Sequence, residues 1–445
     1  MGQRTRILAQ ILGCRGWKVT ESWFEDVAGR RVVRRRAGAK PAPARLVFAV
    51  KRHRVARCAD CGAIAGRVHA HLAARRWRDL PWADHVVEIE YPPDRVDCRR
   101  CGGCGVEMLA WADPHQRQTR RFQQYLALQA ASMPVDHVAA MYGLDWSTVR
   151  RAEGAALARW DRERPVPALH HVGLDEKYLG RRNKLDHDFV TIVSNTATGE
   201  PIWIGPGRKE ETVRLWLATL TPDQKAAIVT FTMDMHEPFA NAIRSDPALA
   251  HAAIVHDPFH VMKRAAEAIS EMRKDAFFRA GPEMRRIGRG TRWLVLRAWV
   301  RCSAPERERL RKLFSYNSQL ARAYQIVEEL RDVLHAPDRP SMDLGFDRIL
   351  RRTEQRRHVH LRKLHDSLQA HRSEILAYGQ FKPSTGRVEA LNNNWETLVR
   401  RARGYRDFDY LLLKLRFMIA NPIRDSDGIK RFLALGLQPP KLPVR

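Results

Sequence analysis

The period of apolar positions changes along this chain, and the changes divide it. Leu46-Val-Phe-Ala-Val50 and Val86-Val-Glu-Ile-Glu90 alternate loosely, as half-buried strands do. From about 118 to 164 the spacing turns helical. From 170 to about 260 short apolar runs return at His171–Leu174, Phe189–Val193, Pro201–Ile204, Ala227–Thr232 and Ala252–Val255. Asn195-Thr-Ala-Thr-Gly199 reads as a hairpin-like turn. Glu210–Leu220 and Pro238–Arg244 read as amphipathic helices, giving the order β-β-β-α-β-α-β. Residues 261–378 are almost wholly helical by pattern and rich in Arg, Lys and Glu, and a last helical region follows Gly386. The Pro-rich tail (Pro439, Pro440, Pro443) reads as loose. Five segments are therefore expected: 1–110, 111–165, 166–260, 261–378 and 379–445.

Charge changes the picture. The 445 residues carry 78 Lys and Arg against 50 Asp and Glu, a formal net charge of +28. The hydrophobic share of 44% is ordinary for a chain with real cores, so the excess of cations is not a sign of disorder. A default reading as a neutral metabolic enzyme is excluded, and a polyanionic partner is implied. Between Ala28 and Ala59 there are eleven Lys or Arg and no acidic residue. That stretch is either a solvated hairpin or loop, or a phosphate-binding arm. The apolar run Tyr410–Ala420 is interrupted by Lys414 and Arg416 and is too short to span a bilayer. With no secretory h-region near Arg4 and Arg6, a cytoplasmic, nucleoid-associated bacterial protein without a membrane partner is expected.

Five of the seven cysteines lie between Cys58 and Cys104. Cys58-Ala-Asp-Cys61 and Cys98-Arg-Arg-Cys101 are two C-x-x-C pairs, each followed by a glycine. Such knuckles supply four thiolates to a tetrahedral structural Zn²⁺, which predicts a zinc ribbon in a reducing compartment. Cys104 leaves the last ligand open between Cys101 and Cys104. His69 and His71 are substitute ligands or plain surface residues, and Cys14 and Cys302 are ordinary thiols. Pro134–Trp160 reads as a helix-turn-helix, with Ala139, Gly143 and Val149 at the required spacing and Val138, Leu144 and Ala152 in the shared core. Asp145 or Ser147 caps the second helix. Trp146, Ser147, Thr148, Arg150 and Arg151 then project from its first turns toward a DNA groove; a plain helical hairpin is the competing reading.

The β-β-β-α-β-α-β order suits an RNase H-like sheet. Asp175 ends its first strand and Asp234 its fourth, and in that topology these strands are neighbours. Two facing carboxylates need a cation between them, and hard oxygen donors suit Mg²⁺ or Mn²⁺. Glu389 is the best third acid, with Asn392 and Asn393 on its helix face and Arg387 and Lys382 as nearby phosphate-binding cations. Asp257 ends the fifth strand, farther from the first, and is expected as a second shell or helix cap. Glu176 is expected to face away from Asp175. Arg273, Arg285, Arg286, Arg289 and Arg292 either track DNA or form a solvated helix face.

These motifs together resemble the DDE transposases of the ISL3-type bacterial insertion sequences. The resemblance runs from Leu12-Gly-Cys-Arg-Gly-Trp17 to Arg403-Gly-Tyr405. It includes the knuckles, Asp79-Leu-Pro81, Asp145-Trp-Ser-Thr-Val149, Leu174-Asp-Glu176, Met233-Asp-Met235, His256-Asp-Pro-Phe-His260 and Gly386-Arg-Val-Glu-Ala-Leu-Asn-Asn393. It implies an α+β multidomain chain: zinc ribbon, helix-turn-helix, and an RNase H-like α/β catalytic domain with a long helical insertion. It carries the catalytic roles to Asp175, Asp234 and Glu389 holding two Mg²⁺ (or Mn²⁺) ions. The expected reaction is metal-dependent strand cleavage and transfer at terminal inverted repeats, on double-stranded DNA and by a homodimer or larger synaptic complex. Arg400, Arg401 and Arg403 join Arg387 as DNA-binding candidates. His236-Glu237 and Cys104 depart from the family pattern. The alternative is a domesticated, non-catalytic DNA-binding protein using the same ribbon and helix-turn-helix.

Overall fold

The computed structural model describes residues 2–14, 16–32, 45–179, 188–354, 358–402 and 405–437. The chain forms two compact units, one of 1–165 with 400–403 and 416–445, the other of 166–399 with 404–415. The segment 379–445, one piece by sequence pattern, is shared between them.

The first unit begins with α1 (Gly2–Ile11) and continues through β1 (Trp17–Glu25), β2 (Arg31–Val32), β3 (Arg45–Arg52), β4 (Arg67–His71), β5 (Arg75–Trp82), β6 (His85–Tyr91), β7 (Asp94–Asp97) and β8 (Cys104–Val106). Five strands form a sheet in the order β2-β1-β3-β6-β5, and three form a second in the order β4-β7-β8. The two strands expected from alternation are β3 and β6. The pattern misses β5, because its inward positions are only Trp77 and Asp79 while three arginines crowd its other positions. Trp17, Trp77 and Tyr91 pack edge-to-face around Trp111 at centroid distances of 4.7, 6.2 and 5.8 Å. Such pairs add about 0.5–1.5 kcal/mol each beyond burial.

The described start of the basic stretch is an exposed hairpin, one of the two readings weighed from sequence: β2 returns antiparallel on β1 with 28–30 exposed between them. Its Arg45–Arg52 part is strand β3, and Arg52 pairs with Asp94 at 2.8 Å and with buried Glu107. Arg31 pairs with Glu21 at 2.8 Å and lies over the Trp23 ring. Arg34, Arg35 and Arg36 lie outside the described residues.

Three helices follow: α2 (Arg120–Ser132), α3 (Val135–Tyr142) and α4 (Trp146–Glu163). Thr119 caps α2, and its hydroxyl donates to buried Asp79 at 2.7 Å. Arg121 Nε donates to the same carboxylate at 2.7 Å. Asp79, the acid of Asp79-Leu-Pro81, therefore ties β5 to the start of α2.

The second unit is built on β9 (His171–Tyr178), β10 (Phe189–Asn195), β11 (Glu200–Pro206), β12 (Thr230–Met233) and β13 (Ala253–His256), ordered β11-β10-β9-β12-β13. The first three are antiparallel, and β12 is parallel to both β9 and β13. Helices α5 (Glu210–Leu217) and α7 (Glu237–Arg244) cover the sheet, burying Trp216, Phe231, Phe239 and Ile243 in one core. A strand beginning at Ala227 is corrected: 222–227 is a short helix, α6 (Pro222–Ala227), because Thr221 and Gln224 form a reciprocal capping box with Pro222 at its first position.

The helical region runs through α8 (Pro258–Arg273), α9 (Pro282–Gly288), α10 (Arg292–Leu296), α11 (Ala304–Tyr316), α12 (Ser318–Leu334), α13 (Arg339–Glu354), α14 (Val359–Ala370) and α15 (Arg372–Phe381) around its own apolar core. Neither reading of Arg273 holds. It is buried, lies over the Phe278 ring at 4.7 Å and donates to the Gly288 carbonyl at 3.4 Å. Helices α16 (Thr385–Ala402), α17 (Phe408–Ala420) and α18 (Ser426–Ala434) complete the chain. Among the described residues no helix is long and apolar enough to cross a membrane.

Candidate functional site

The second unit brings acidic side chains together through strand register. Thr232 on β12 sits opposite Gly173 on β9, and Met233 sits opposite His256 on β13. Continuing those registers one or two residues places Asp234 level with Asp175 on one side and Asp257 on the other. All three lie toward the C-terminal ends of parallel strands, where open α/β sheets expose their ligand crevices. One detail is corrected. Asp175 does not end β9, which runs on to Tyr178 beside β10. What ends there is the parallel pairing with β12.

Burial is the main force on Asp234 and Asp257. It pushes the carboxyl of Asp234 above the usual range; His260 and His236 oppose the rise, while Glu176 and Asp175 add to it. Asp257 is raised in the same way, with Asp175 and Glu389 adding to burial. Glu389 stands exposed on α16, so the third acid acts on the row from a separate element. The turn between β10 and β11 lets α16 approach. Gly199 has φ +78°, and a Cβ there would stand 3.1 Å from Arg387 Cβ and 3.3 Å from its carbonyl oxygen. Asp257 is a helix cap, its Oδ1 accepting from Phe259 N at 2.9 Å at the start of α8.

Several neighbours were not singled out in the sequence. Lys177 Nζ lies 2.7 Å from Asp175 Oδ2. Residues two apart on a strand share a face, so alternation contained that signal. Glu176 is not turned away from the site's neighbourhood. It pairs with Arg208 at 3.0 Å, lies 3.7 Å from His236 Nε2 and raises Asp234. A cavity of about 250 Å³ opens beside Asp234, lined by Met235, His260, Lys263, Arg264 and Glu267. Asn392 is partly buried with its Oδ1 unpartnered, while Asn393 and Arg387 are exposed. Lys382 is engaged elsewhere, donating to the Pro337 carbonyl.

In the first unit, Cys58, Cys61, Cys98 and Cys101 converge. Their sulfurs approach to 3.7 Å (Cys58 to Cys101) and 3.4 Å (Cys61 to Cys98). Four thiolates about 2.3 Å from a tetrahedral ion stand ~3.8 Å apart, so the group is close to the size of a zinc site. Both knuckles close alike: Gly62 N donates to Cys58 O at 3.0 Å and Gly102 N to Cys98 O at 2.9 Å, with φ +67° and +69°. Backbone donors, the Cys101 amide first, push the Cys98 thiol down to about 6, while burial pushes Cys58 up and the neighbouring thiols push Cys61 up to about 12, so the four thiols share their protons unevenly. Cys104 is exposed and groups with His69 and Asp97 instead. His71 is engaged with Asp94 at 2.6 Å, and Cys14 and Cys302 are buried thiols.

Helices α3 and α4 meet at Gly143, left-handed at φ +55°, with Val138, Ala139, Val149 and Ala152 buried between them and α2. Asp145 occupies the cap position of α4 without a side-chain hydrogen bond. Trp146, Ser147 and Arg151 are exposed at the start of α4; Thr148 and Arg150 are partly buried, Arg150 lying 5.8 Å from the Trp146 ring centre. Arg401 donates to the Ala131 carbonyl at 2.9 Å, near the C-terminal end of α2. Arg400 is exposed, and Arg403 lies outside the described residues.

The comparisons with known proteins agree with this arrangement. Residues 172–415, which contain all the acids above, match the ISL3 family model described as "Transposase". Residues 107–152 match the helix-turn-helix domain of transposase family ISL3. The transposase for insertion sequence element IS1001 of Bordetella parapertussis is 31% identical over 362 residues, 81% of this chain and 87% of that protein. The transposase for insertion sequence element IS1557 of Mycobacterium tuberculosis is 26% identical over 380 residues, 79% of this chain and 82% of that protein. A match across more than half the chain, with a relative of that identity aligned over most of both lengths, shows that the chain belongs to the ISL3 family of DDE transposases.

Proposed function

We propose that this transposase cuts DNA at the terminal inverted repeats of an insertion sequence and joins the freed ends to target DNA, with Asp175, Asp234 and Glu389 as its metal-holding residues. The observation that carries the reading is the register that sets Asp234 level with Asp175, in a row whose buried members resist ionising. The donor set fits Mg²⁺ or Mn²⁺: carboxylate oxygens, with no thiolate among them. Two such ions, when bound, would stabilise charge on the attacking and leaving oxygens.

The strand order and the antiparallel start of the sheet support an RNase H-like core formed by 166–260 with 379–399 and 404–415, interrupted by the helical insertion 261–378. Asp175 and Asp234 present oxygens from neighbouring strands, and Glu389 closes the set from α16. Lys177 neutralises Asp175 when no cation is present. Lys263 and Arg264 give an incoming phosphate two positive groups beside Asp234. Water attacks the phosphodiester at the element's end, breaking one P–O bond and leaving a 3′-hydroxyl. That hydroxyl then attacks a target phosphodiester by the same in-line displacement. Because the charge is met electrostatically, no tuned side-chain base is required.

Segments 1–110 and 111–165 read the ends. The knuckles hold a structural Zn²⁺, and the first turns of α4 (Trp146, Ser147, Thr148, Arg150, Arg151) enter the major groove. Arg387 and Arg400, with Arg403, contact phosphates. Two or more chains pair two ends in one synaptic complex on the bacterial nucleoid. A supercoiled plasmid carrying the element's two ends tests this: Mg²⁺-dependent nicking at the repeats supports it, and binding without any cleavage contradicts it.

A further inference from the structure

The other side of β13 carries a second cluster of metal-ligating groups. His256 and Asp257 are consecutive, and successive extended residues point to opposite faces, so the His256 ring leaves away from the carboxylate row. It meets His371, at the start of α15, with Nε2 3.3 Å from His371 Nδ1 and the rings nearly perpendicular at 82°. Ligand atoms of His256, His371 and Glu374 all lie within 4.8 Å of one another. Glu237, the first residue of α7, places Oε1 3.6 Å from His371 Nδ1.

Both oxygens of Glu374 and one oxygen of Glu237 are held from outside, so a bound ion would share a Glu374 oxygen with Arg244 or Ser373. Arg244 donates to Glu374 Oε1 at 2.5 Å and to Glu237 Oε2 at 3.3 Å, and Ser373 Oγ donates to Glu374 Oε2 at 2.7 Å. Such outer partners orient first-row ligands in metal sites.

The nitrogen spacing is informative. Two imidazole nitrogens ~2.0–2.1 Å from a tetrahedral ion stand about 3.3–3.4 Å apart, the separation found. Without a metal, the two rings share a single proton across that gap, and His256 Nδ1 is left buried with no hydrogen-bond partner. Glu374, Glu237 and Arg244 are the charged groups facing the His256 ring, and they sum to one negative charge.

We propose that His256, His371 and Glu374, with Glu237 as fourth donor, bind one transition-metal ion of the zinc class. The ion clips α15 and α7 to the edge strand β13. Two imidazoles and two carboxylates favour Zn²⁺ over Mg²⁺. The site is separate from both the cysteine knuckles and the carboxylate row.

The test counts metal on the full chain. Protein stripped with chelator is reloaded with ZnCl₂ in excess MgCl₂, dialysed, and analysed for zinc. His371→Gln and Glu374→Gln are each expected to retain one equivalent fewer than the unsubstituted chain, whatever the knuckles hold. Cobalt separates the sites: both variants keep the thiolate-to-cobalt charge-transfer band and lose only visible absorption from the nitrogen–oxygen site. Both substitutions fall at partly buried positions, and far-UV circular dichroism confirms that each variant is folded; His256→Gln, fully buried, is read only if it folds. Equal zinc in the unsubstituted chain and both folded variants overturns the proposal. So does a loss confined to the thiolate band.

Discussion

Burial, with the nearby acids, pushes the carboxyls of Asp234 and Asp257 above the usual range, and this has a consequence for stability. A carboxyl whose folded pKa lies above its unfolded value favours folding below the unfolded pKa, and that advantage is lost as pH rises through the folded value. At pH 7 both groups therefore oppose folding when no cation is bound. Asp234→Asn is expected to raise the melting temperature of the metal-free second unit, by ~2–4 °C per kcal/mol of repulsion removed. The gain should shrink toward pH 4, and added Mg²⁺ should stabilise the unsubstituted chain more than the variant. Calorimetry with and without Mg²⁺ checks both. Asp257 has a further role: its Oδ1 caps α8, and Asp257→Ala should cost about 1 kcal/mol through the lost cap. Asp257→Asn keeps that acceptor and removes the buried charge, so at pH 7 without Mg²⁺ it should melt above both the alanine variant and the unsubstituted chain, which parallel thermal melts would show.

At the scale of elements, α16 and α4 do the positioning. Gly199 admits the backbone of α16 at Arg387, and its positive φ already disfavours a side chain. Gly199→Val should displace α16, and Glu389 with it. Cleavage should fall by ~10²-fold or more, the scale of losing one group that stabilises the transition state. End binding should remain, as a gel-shift assay would show. Arg151→Ala on α4 should instead weaken end binding and reduce the salt slope by about one phosphate if its contact is to the backbone.

Much of this was legible beforehand, for identifiable reasons. β10 and β12 are nearly continuous apolar runs, so their period marks them. The knuckles and the Ala139–Gly143–Val149 spacing are local patterns. β5 hid because Arg75, Arg76 and Arg78 occupy positions whose partners, such as Glu25 and Glu90 for Arg76, are distant in sequence. The same holds for Arg273, whose burial depends on Phe278 and Gly288 folding back on α8, and for the His256–His371 meeting across 115 residues. β12 read as starting too early because Ala227, the last residue of α6, is continuous with the apolar run that leads into the strand.

Across the whole molecule, the +28 charge resolves into local arrangements. Part of the basic stretch is consumed inside the first unit by Glu107, Asp94 and Glu21, so it is not all available to phosphate. Removing zinc should unfold the knuckles, since such modules have little core of their own. Chelator-treated protein is expected to lose recognition of the ends, while its second unit, which loses only the ion at His256 and His371, still melts in a transition of its own. The central claim is that Asp175, Asp234 and Glu389 act together as the cutting centre. Its most direct test is cleavage of a supercoiled plasmid bearing both ends in Mg²⁺, by the unsubstituted chain and by Asp175→Ala, Asp234→Asn and Glu389→Gln. The prediction is nicking at the repeats by the unsubstituted chain and none by any variant, with end binding intact in all four. Full cleavage by any one of the three variants would contradict it.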